Sequence, residues 1–267
     1  MTTWNRPQFL GQAIESIRAQ TFGDWELIIA DDGSTDNTRE IVAEWMKKDS
    51  RIKYVNPGHL GRIAKISNIG LREAKGEYIA ILDDDDWWAD PEKLKKQVGF
   101  LDKNRDHVGC GGGYFVIDKE GNTTAKILKP EKDADIRKVM LFANPMANSS
   151  TLFRHSVAEK LGYYDETMLQ FADWDFWLKM GLEGKIYNFP EYFLSYRMWG
   201  GGMSFSKQKE CAQSAVRLVG RYQNKYPGHW FALFAAYAYV AYANFPPGVR
   251  QFLNPILSRL KKALFSR

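Results

Sequence analysis

The chain has 267 residues, of which 45% are hydrophobic and 26% are charged. This apolar content suffices for one sizeable core and excludes a mainly disordered chain. Two cysteines exclude both a disulfide framework and a four-thiolate zinc site, and no apolar run reaches the roughly 18–20 residues of a transmembrane helix.

The net charge of +5 is unevenly distributed along the chain. No acidic residue follows Glu210, whereas eight lysines and arginines do, which leaves 29 basic against 32 acidic residues in the body. An acidic body with a basic tail is atypical of a nucleic-acid-binding core, and we expect no nucleic-acid partner. We predict a globular catalytic domain over 1–205 and a basic, helical C-terminal extension over 206–267.

Helical and strand patterns alternate through the first half of the chain. Pro7 opens an amphipathic helix, and further helices are predicted around 41–46, over 61–74 and from Pro91. Short apolar runs predict strands over 25–30, 52–55 and 78–82. This alternation is typical of an α/β fold with a mixed, mostly parallel sheet flanked by helices.

The second half is less regular. It predicts strands over 108–117 and 149–153, and helices over 174–182, 205–224, 228–243 and 249–265.

Acidic residues follow two of the predicted strands. Asp31 and Asp32 follow the first, and Asp83–Asp86 follow the third. Ligands of such sheets bind beyond the carboxyl ends of the strands. Four adjacent carboxylates repel one another unless a cation lies among them, and Mg²⁺ and Mn²⁺ prefer oxygen ligands. The alternative interpretation of Asp83–Asp86 is a solvated acidic loop.

Two rival metal motifs fail at this cluster. A haloacid-dehalogenase-type phosphatase would have threonine where Trp87 stands. An EF-hand counted from Asp83 would have glycine and glutamate where Trp88 and Leu94 stand. The other carboxylates also have alternative, purely structural interpretations. Asp31–Ser34 can form a plain turn, and Asp173 can stabilise a helix N-terminus.

Seven segments, in order over residues 1 to about 205, resemble a family 2 glycosyltransferase. They are Thr2–Pro7, Gln20–Phe22 with Asp31–Asp36, Ser67–Leu71, Ala74–Ile79 with Leu82–Asp86, Gly162–Glu166, Ala172–Trp177 and Tyr196–Arg197. The resemblance implies a GT-A (Rossmann-like) fold and inverting, metal-dependent transfer of a sugar from a nucleotide-sugar donor.

The resemblance also implies a role for individual residues. It places Thr2 and Trp4 beside the donor base, to which Asp32 hydrogen-bonds. It places Asp83 and Asp84 where the ribose and metal bind, and it makes Asp85 the ligand of a divalent Mn²⁺ or Mg²⁺ ion. Asp173 corresponds to the general base that deprotonates the acceptor hydroxyl.

Three residues depart from the family pattern. Trp199 stands where the family often has a histidine, Ala172 where it usually has a glutamate, and Ser67 where it often has an arginine. Trp174 and Trp177 flank the expected base and form either a sugar platform or part of the core. Family members have an apolar strand before the segment that begins at Thr2, and we expect that strand to be missing from this chain.

The sequence leaves partners and alternatives open. UDP is favoured by analogy as the nucleotide over GDP or dTDP, and the expected acceptor is a glycan or a lipid-linked sugar of cell-envelope assembly. A nucleotidyltransferase would normally show a glycine-rich phosphate loop after the first strand, which is not found. A non-catalytic, membrane-associated carbohydrate-binding protein is a further alternative.

The C-terminal extension predicts peripheral attachment to a membrane. Trp230–Ala243 is a run of 14 apolar residues, too short to span a bilayer. Phe252–Leu264 places leucines and an isoleucine at helical spacing among arginines and lysines. We expect a cytoplasmic protein held on the anionic membrane surface. The alternative is that these segments pack on the catalytic domain or form a dimer interface.

Overall fold

Helices and strands alternate through the first hundred residues, as the sequence predicts. The computed structural model describes residues 1–199, 208–246 and 248–250. Its strands are β1 (Thr2–Thr3), β2 (Leu27–Asp31), β3 (Ile52–Val55), β4 (Tyr78–Ala80), β5 (Trp87–Trp88), β6 (His107–Ile117), β7 (Thr123–Ile127), β8 (Leu152–Arg154) and β9 (Lys185–Arg197). Its α-helices are α1 (Pro7–Arg18), α2 (Thr38–Lys48), α3 (Ile63–Glu73), α4 (Lys93–Lys103), α5 (Asp133–Val139), α6 (His155–Lys160), α7 (Ala172–Glu183), α8 (Gln208–Arg221) and α9 (His229–Asn244). The predicted helix over 249–265 lies almost wholly outside the described residues.

The first three strands form one parallel sheet in the order β1–β2–β3. Thr3 pairs with Asp31, and Leu27 pairs with Ile52. Every residue of β2 is buried, because Leu10 and Ile14 of α1 share a core with it and α3 lies against it. Burial on both faces accounts for the continuous apolar run of this strand. Asp31 and Asp32 therefore emerge at its carboxyl end.

The remaining strands form a second, mixed sheet. Its order is β4–β8–β6–β9–β5, with β7 paired to β6. Only the β6–β9 pair is parallel among the described pairings of this sheet. The predicted α/β architecture thus includes a larger share of antiparallel pairing than the sequence indicates. The strand β9 lacks a clear pattern because Asn188, Pro190 and Glu191 interrupt it.

A glycine run lets β6 approach β9 closely. A Cβ atom at Gly112 would lie 2.5 Å from the Phe193 ring, which real side chains do not allow. Phe193 is completely buried in the resulting space. The glycine at position 112, which helps to make the strand pattern of β6 irregular, is therefore required by packing across the β6–β9 pair.

A large cavity separates the two sheets. Ile28 and Ala30 of β2 line it on one side, and Ile79 and Ala80 of β4 line it on the other. The two sheets share no strand pairing among the described residues. The expectation of a further strand before Thr2 stays a prediction.

The last two described helices pack on the body of the protein. Leu218 and Tyr222 of α8 belong to the same buried cluster as Trp177 of α7, and α9 packs along α8. The domain boundary at residue 205 stays a prediction. Within residues 1–199, 208–246 and 248–250, no helix has both the length and the apolar character needed to cross a membrane.

Candidate functional site

One cavity brings all the predicted site residues together. Its volume is about 2630 Å³. The predicted residues that line it are Thr2, Trp4, Asp32, Asp83, Asp84, Asp85 and Asp173. They come from β1, from the ends of β2 and β4 and from the first turn of α7. The structure therefore gathers these carboxylates at one site, while their individual roles stay predictions.

The two aspartates at the turn after β2 have different environments. Asp31 is fully buried, and its Oδ1 accepts hydrogen bonds from the backbone N–H and the hydroxyl of Ser34. Asp31 thus forms the turn that was the alternative interpretation of this motif. Gly33 completes the turn at φ 72°, with His59 so near that a Cβ would clash.

Asp32 faces the cavity and holds a neighbouring loop. Its carboxylate accepts hydrogen bonds from the backbone N–H groups of Leu60, at 2.7 Å, and Gly61, at 3.1 Å. His59 of the same loop stacks on Trp4, with ring centroids 5.1 Å apart. Trp4 remains half exposed at the cavity wall. The sequence did not identify His59, whose contact with Trp4 exists only in the folded chain.

The four consecutive aspartates have different partners. Asp83 accepts a hydrogen bond from the Ser149 hydroxyl at 3.1 Å, and Asp86 accepts one from the Arg197 backbone N–H at 2.9 Å. Asp84 and Asp86 are each 2% exposed. The simple alternative of a solvated acidic loop is therefore wrong, because Asp84 and Asp86 are buried and Asp83 and Asp85 are only partly exposed.

Arg6 is a cation among these carboxylates. Its Nη1 lies 3.0 Å from Oδ1 of Asp84 and 3.1 Å from Oδ2 of Asp85. The indole N–H of Trp199 also donates to Oδ2 of Asp85, at 3.0 Å. Trp199, which replaces the family's histidine, thus contacts the aspartate that is the expected metal ligand.

Burial makes the acidic cluster costly to ionise. It is the main cause that raises the pKa of Asp83 to about 6 and that of Asp84 to about 7. The charge of Asp85 raises both values further, whereas Arg6 lowers that of Asp84. Burial likewise raises the pKa of Asp86 well above its ordinary value. A cation that entered the cluster would favour the ionised forms of these groups.

The donor atoms of the cluster suit a hard divalent cation. Oδ2 of Asp84 and Oδ2 of Asp86 are buried and lack a hydrogen-bond partner among the described residues. Carboxylate oxygens are the ligands that Mg²⁺ and Mn²⁺ prefer. In the described part of the chain, however, no three His, Cys, Asp or Glu side chains converge as a metal site. Arg6 and Trp199 already contact one oxygen of Asp85.

Asp173 lies at the start of α7. Its Oδ2 accepts a hydrogen bond from the side-chain amide of Asn144 at 2.7 Å. Burial is the main cause that raises its pKa, while the backbone N–H groups at the helix start, Asn144 and Lys129 act in the opposite direction. A partly buried carboxylate with a raised pKa and a fixed orientation can accept a proton.

A buried aspartate anchors the helix that carries Asp173. Asp175 has no exposed surface and contacts Lys179, Arg221 and the Tyr222 hydroxyl at 2.9 Å each. Two of these three partners belong to or directly follow α8. The first turn of α7 is therefore tied to the C-terminal helices.

The two tryptophans beside Asp173 are core residues. Trp177 is completely buried, and Trp174 is 8% exposed with its indole N–H donated to the Met140 carbonyl. The core interpretation is therefore the correct one for Trp177. Trp174 also lines the cavity.

Comparison with solved structures defines the fold class. A chain of Staphylococcus aureus TarS in complex with UDP-GlcNAc is 19% identical, with a TM-score of 0.69 over 84% of this chain and 65% of that chain. The mannosyltransferase PcManGT of Pyrobaculum calidifontis, in complex with GDP-Man and Mn²⁺, is 17% identical, with a TM-score of 0.64 over 98% of this chain and 79% of that chain. The fold is therefore the GT-A fold of glycosyltransferases.

Residues 1–162 match the glycosyl transferase family 2, and the protein belongs to that family. An uncharacterized glycosyltransferase of Methanocaldococcus jannaschii is 35% identical over 84% of this chain and 79% of its own length. The GalNAc(5)-diNAcBac-PP-undecaprenol beta-1,3-glucosyltransferase of Campylobacter jejuni is 34% identical over 61% of this chain and 53% of its own length. The match favours a glycosyltransferase over the nucleotidyltransferase that the sequence left open.

Proposed function

We propose that the protein is an inverting glycosyltransferase that moves a sugar from a nucleoside-diphosphate sugar to an acceptor hydroxyl. The observation that carries the proposal is the shared cavity, in which the partly buried Asp173 lies with the carboxylates Asp83–Asp85. Each group suits one of the two demands of the reaction, which are stabilisation of a departing diphosphate and removal of a proton from the acceptor.

The donor base binds at the end of the cavity formed by Thr2, Trp4 and Asp32. The half-exposed Trp4 ring offers a stacking surface, and His59 supports that ring from the other side. UDP is the favoured nucleotide, and related solved structures hold UDP-GlcNAc and GDP-Man.

The donor diphosphate binds beside the acidic cluster. Asp83 and Asp84 contact the ribose and a divalent cation, and Asp85 is the principal ligand of Mn²⁺ or Mg²⁺. The unpartnered Oδ2 of Asp84 supports this assignment. Such a cation neutralises charge on the departing diphosphate. Arg6 contacts Oδ2 of Asp85, so its positive charge would compete with a cation for this carboxylate.

Asp173 is the general base. Asn144 orients its carboxylate, and burial raises its pKa, which brings its basicity closer to that required at neutral pH. A single base that deprotonates the attacking hydroxyl, with the donor diphosphate leaving from the opposite side, gives inversion at the anomeric carbon.

The acceptor is a hydroxyl of a glycan or of a lipid-linked sugar. A relative in Campylobacter jejuni bears the name of a glucosyltransferase for an undecaprenol-linked glycan. Residues 1–205 form the catalytic domain, and the basic extension over 206–267 holds the protein on the cytoplasmic face of a membrane, where nucleotide sugars are available.

The variant Asp173→Asn tests the base directly. It preserves shape but removes the proton acceptor, so we expect kcat for nucleoside-diphosphate release to fall about 10²–10⁴-fold. Donor binding, measured by calorimetry with Mn²⁺, should remain unchanged. The control is Asp24→Asn, an exposed aspartate that lines the same cavity and has no role in the proposed mechanism, and this variant should retain activity. More than about a tenth of the wild-type kcat in Asp173→Asn would refute the base assignment.

A further inference from the structure

The outer face of α9 is an aromatic stripe. Its members are exposed to an extent rare for such large apolar side chains: Trp230 70%, Phe231 76%, Phe234 73% and Tyr237 59%. Their spacing places all four on one side of the helix. Ala238 and Ala241 continue the same side, and both are exposed. We call this surface the α9 stripe.

The opposite side of α9 fixes the direction in which the stripe points. Ala232, Ala236 and Ala243 are buried, and α9 packs along α8 through this side. The helix α8 is in turn held to α7 by the contacts of Arg221 and Tyr222 with Asp175. The stripe is therefore presented outwards by a helix that is anchored to the body of the protein.

The charges that bracket the stripe along the sequence have one sign. No Asp, Glu, Lys or Arg occurs between Lys225 and Arg250, which bracket the helix. Beyond Arg250 the sequence continues with Arg259, Lys261, Lys262 and Arg267 and contains no acidic residue. An apolar face bracketed by cations is complementary to an anionic bilayer surface, in which aromatic rings lie at the level of the headgroups.

The stripe borders the opening of the active-site cavity. Phe231 and Phe234, both largely exposed, also line the cavity that contains Asp173 and the acidic cluster. Tyr242 extends the apolar lining on the same side of α9. A surface that docks on the stripe would therefore lie next to the site where the acceptor hydroxyl must enter.

The exposed area favours a bilayer over a second protein copy. Four aromatic side chains of about 150–250 Å² each, exposed by the fractions above, present on the order of 600 Å². A standard protein interface buries about 800 Å² per partner with close complementarity. A bilayer surface needs neither that area nor a fitted partner shape.

We propose that the α9 stripe is a membrane-binding surface, which inserts its aromatic rings into an anionic leaflet and sets the cavity opening against that leaflet. The acceptor is then a lipid-linked sugar that reaches Asp173 along Phe231 and Phe234. The proposal rests on the proposed function, which attaches the extension over 206–267 to a membrane and supplies a lipid-linked acceptor. It adds that the α9 stripe makes the membrane contact.

Vesicle partitioning of the full chain tests the proposal. We expect the wild type to sediment with vesicles of phosphatidylcholine and phosphatidylglycerol, more weakly with pure phosphatidylcholine and more weakly in high salt. The double variant Phe231→Ser/Phe234→Ser should partition at least tenfold less. The matched control is Met46→Ser/Leu182→Ser, which removes two exposed apolar side chains elsewhere and should partition as the wild type does.

Further measurements separate the remaining outcomes. Brominated lipids should quench the tryptophan fluorescence of the wild type more than that of Trp230→Phe. This comparison tests insertion of the stripe even if the double variant fails to fold. Equal partitioning of wild type and folded double variant, or a stripe substitution that only converts a dimer to a monomer, would overturn the proposal. Donor binding without vesicles should persist in Trp230→Phe, because Trp230 is not among the residues that line the cavity. If the wild type itself bound no nucleotide-sugar donor, that result would count against the proposed function instead.

Discussion

Arg6 links the structure of the acidic cluster to its affinity for metal. The arginine contacts Oδ1 of Asp84 and Oδ2 of Asp85, so its positive charge already neutralises part of the cluster to which a divalent cation would bind. We predict that Arg6→Met increases the affinity for Mn²⁺ alone by roughly tenfold, a free-energy change of about 1.4 kcal/mol. Titration of Mn²⁺ followed by electron paramagnetic resonance measures this affinity without nucleotide.

The control for Arg6→Met is Arg62→Met. Arg62 lines the same cavity but donates its hydrogen bond to the Glu166 backbone carbonyl. The variant Arg62→Met therefore removes one positive charge near the site without removing a contact to Asp84 or Asp85. Its effect on Mn²⁺ affinity should be small. Unchanged or weaker Mn²⁺ binding in Arg6→Met would show that Arg6 does not compete with the cation.

The buried carboxyl of Asp84 predicts a pH-dependent stability. Its pKa is raised from 3.8 to about 7, so the folded protein binds the proton more tightly than the unfolded chain does. The stabilisation from this proton is fully present below the unfolded value and is lost as the pH rises through about 7. We therefore predict that Asp84→Asn, which resembles the protonated form, melts above the metal-free wild type at pH 8.

The melting difference should shrink as the pH is lowered to 5, where the wild-type carboxyl is already protonated. Calorimetric melting curves of both proteins in a metal chelator provide the comparison. The exposed Asp24→Asn serves as a control without such a dependence. A difference that is independent of pH, or a less stable Asp84→Asn at pH 8, would contradict the prediction.

The sequence could predict the acidic residues of the site but not their partners. Asp83–Asp86 and Asp173 are visible as carboxylates after a strand and at a helix start. Arg6, Trp199 and Asn144 contact these carboxylates across 29 to 114 residues of chain, and no local pattern records such contacts. The stacking of His59 on Trp4 has the same origin.

Helices and strands with a strong hydrophobic periodicity could be predicted from the sequence. Those that form mainly because of tertiary packing could not. The helix α1 has Pro7 at its start and an apolar face that includes Leu10 and Ile14, so its sequence determines its position. The strand β9, by contrast, is stabilised along 13 residues mainly by its pairing with β6. Its polar residues and its proline obscure the strand pattern in the sequence. The strand forms nevertheless, because tertiary pairing outweighs local propensity there.

The attachment of α8 to α7 can be measured by substitution. Arg221 contacts the completely buried Asp175, so Arg221→Met removes a charged partner from a group that cannot reach water. We predict a loss of about 1–3 kcal/mol in the free energy of unfolding, measured by urea denaturation. Arg217→Met on the exposed side of α8 should have little effect. Equal stability of the two variants would show that this ion pair does not hold the helices together.

At the scale of the whole molecule, charge is separated along the chain. The carboxylates gather in the cavity between the sheets, while the residues after Glu210 carry only basic charge. Composition alone predicted this separation. It did not predict that α9 would line the cavity opening, because that arrangement depends on how α8 packs against α7.

Release of nucleoside diphosphate from a panel of UDP-, GDP- and dTDP-sugars tests the central claim most directly. With purified wild-type protein and Mn²⁺, we predict that at least one donor is cleaved to its nucleoside diphosphate. A chelator and Asp173→Asn should both abolish this release. If folded wild-type protein left every donor intact, with and without lipid-linked and glycan acceptors, or released nucleoside monophosphate instead, the account of this site would be contradicted.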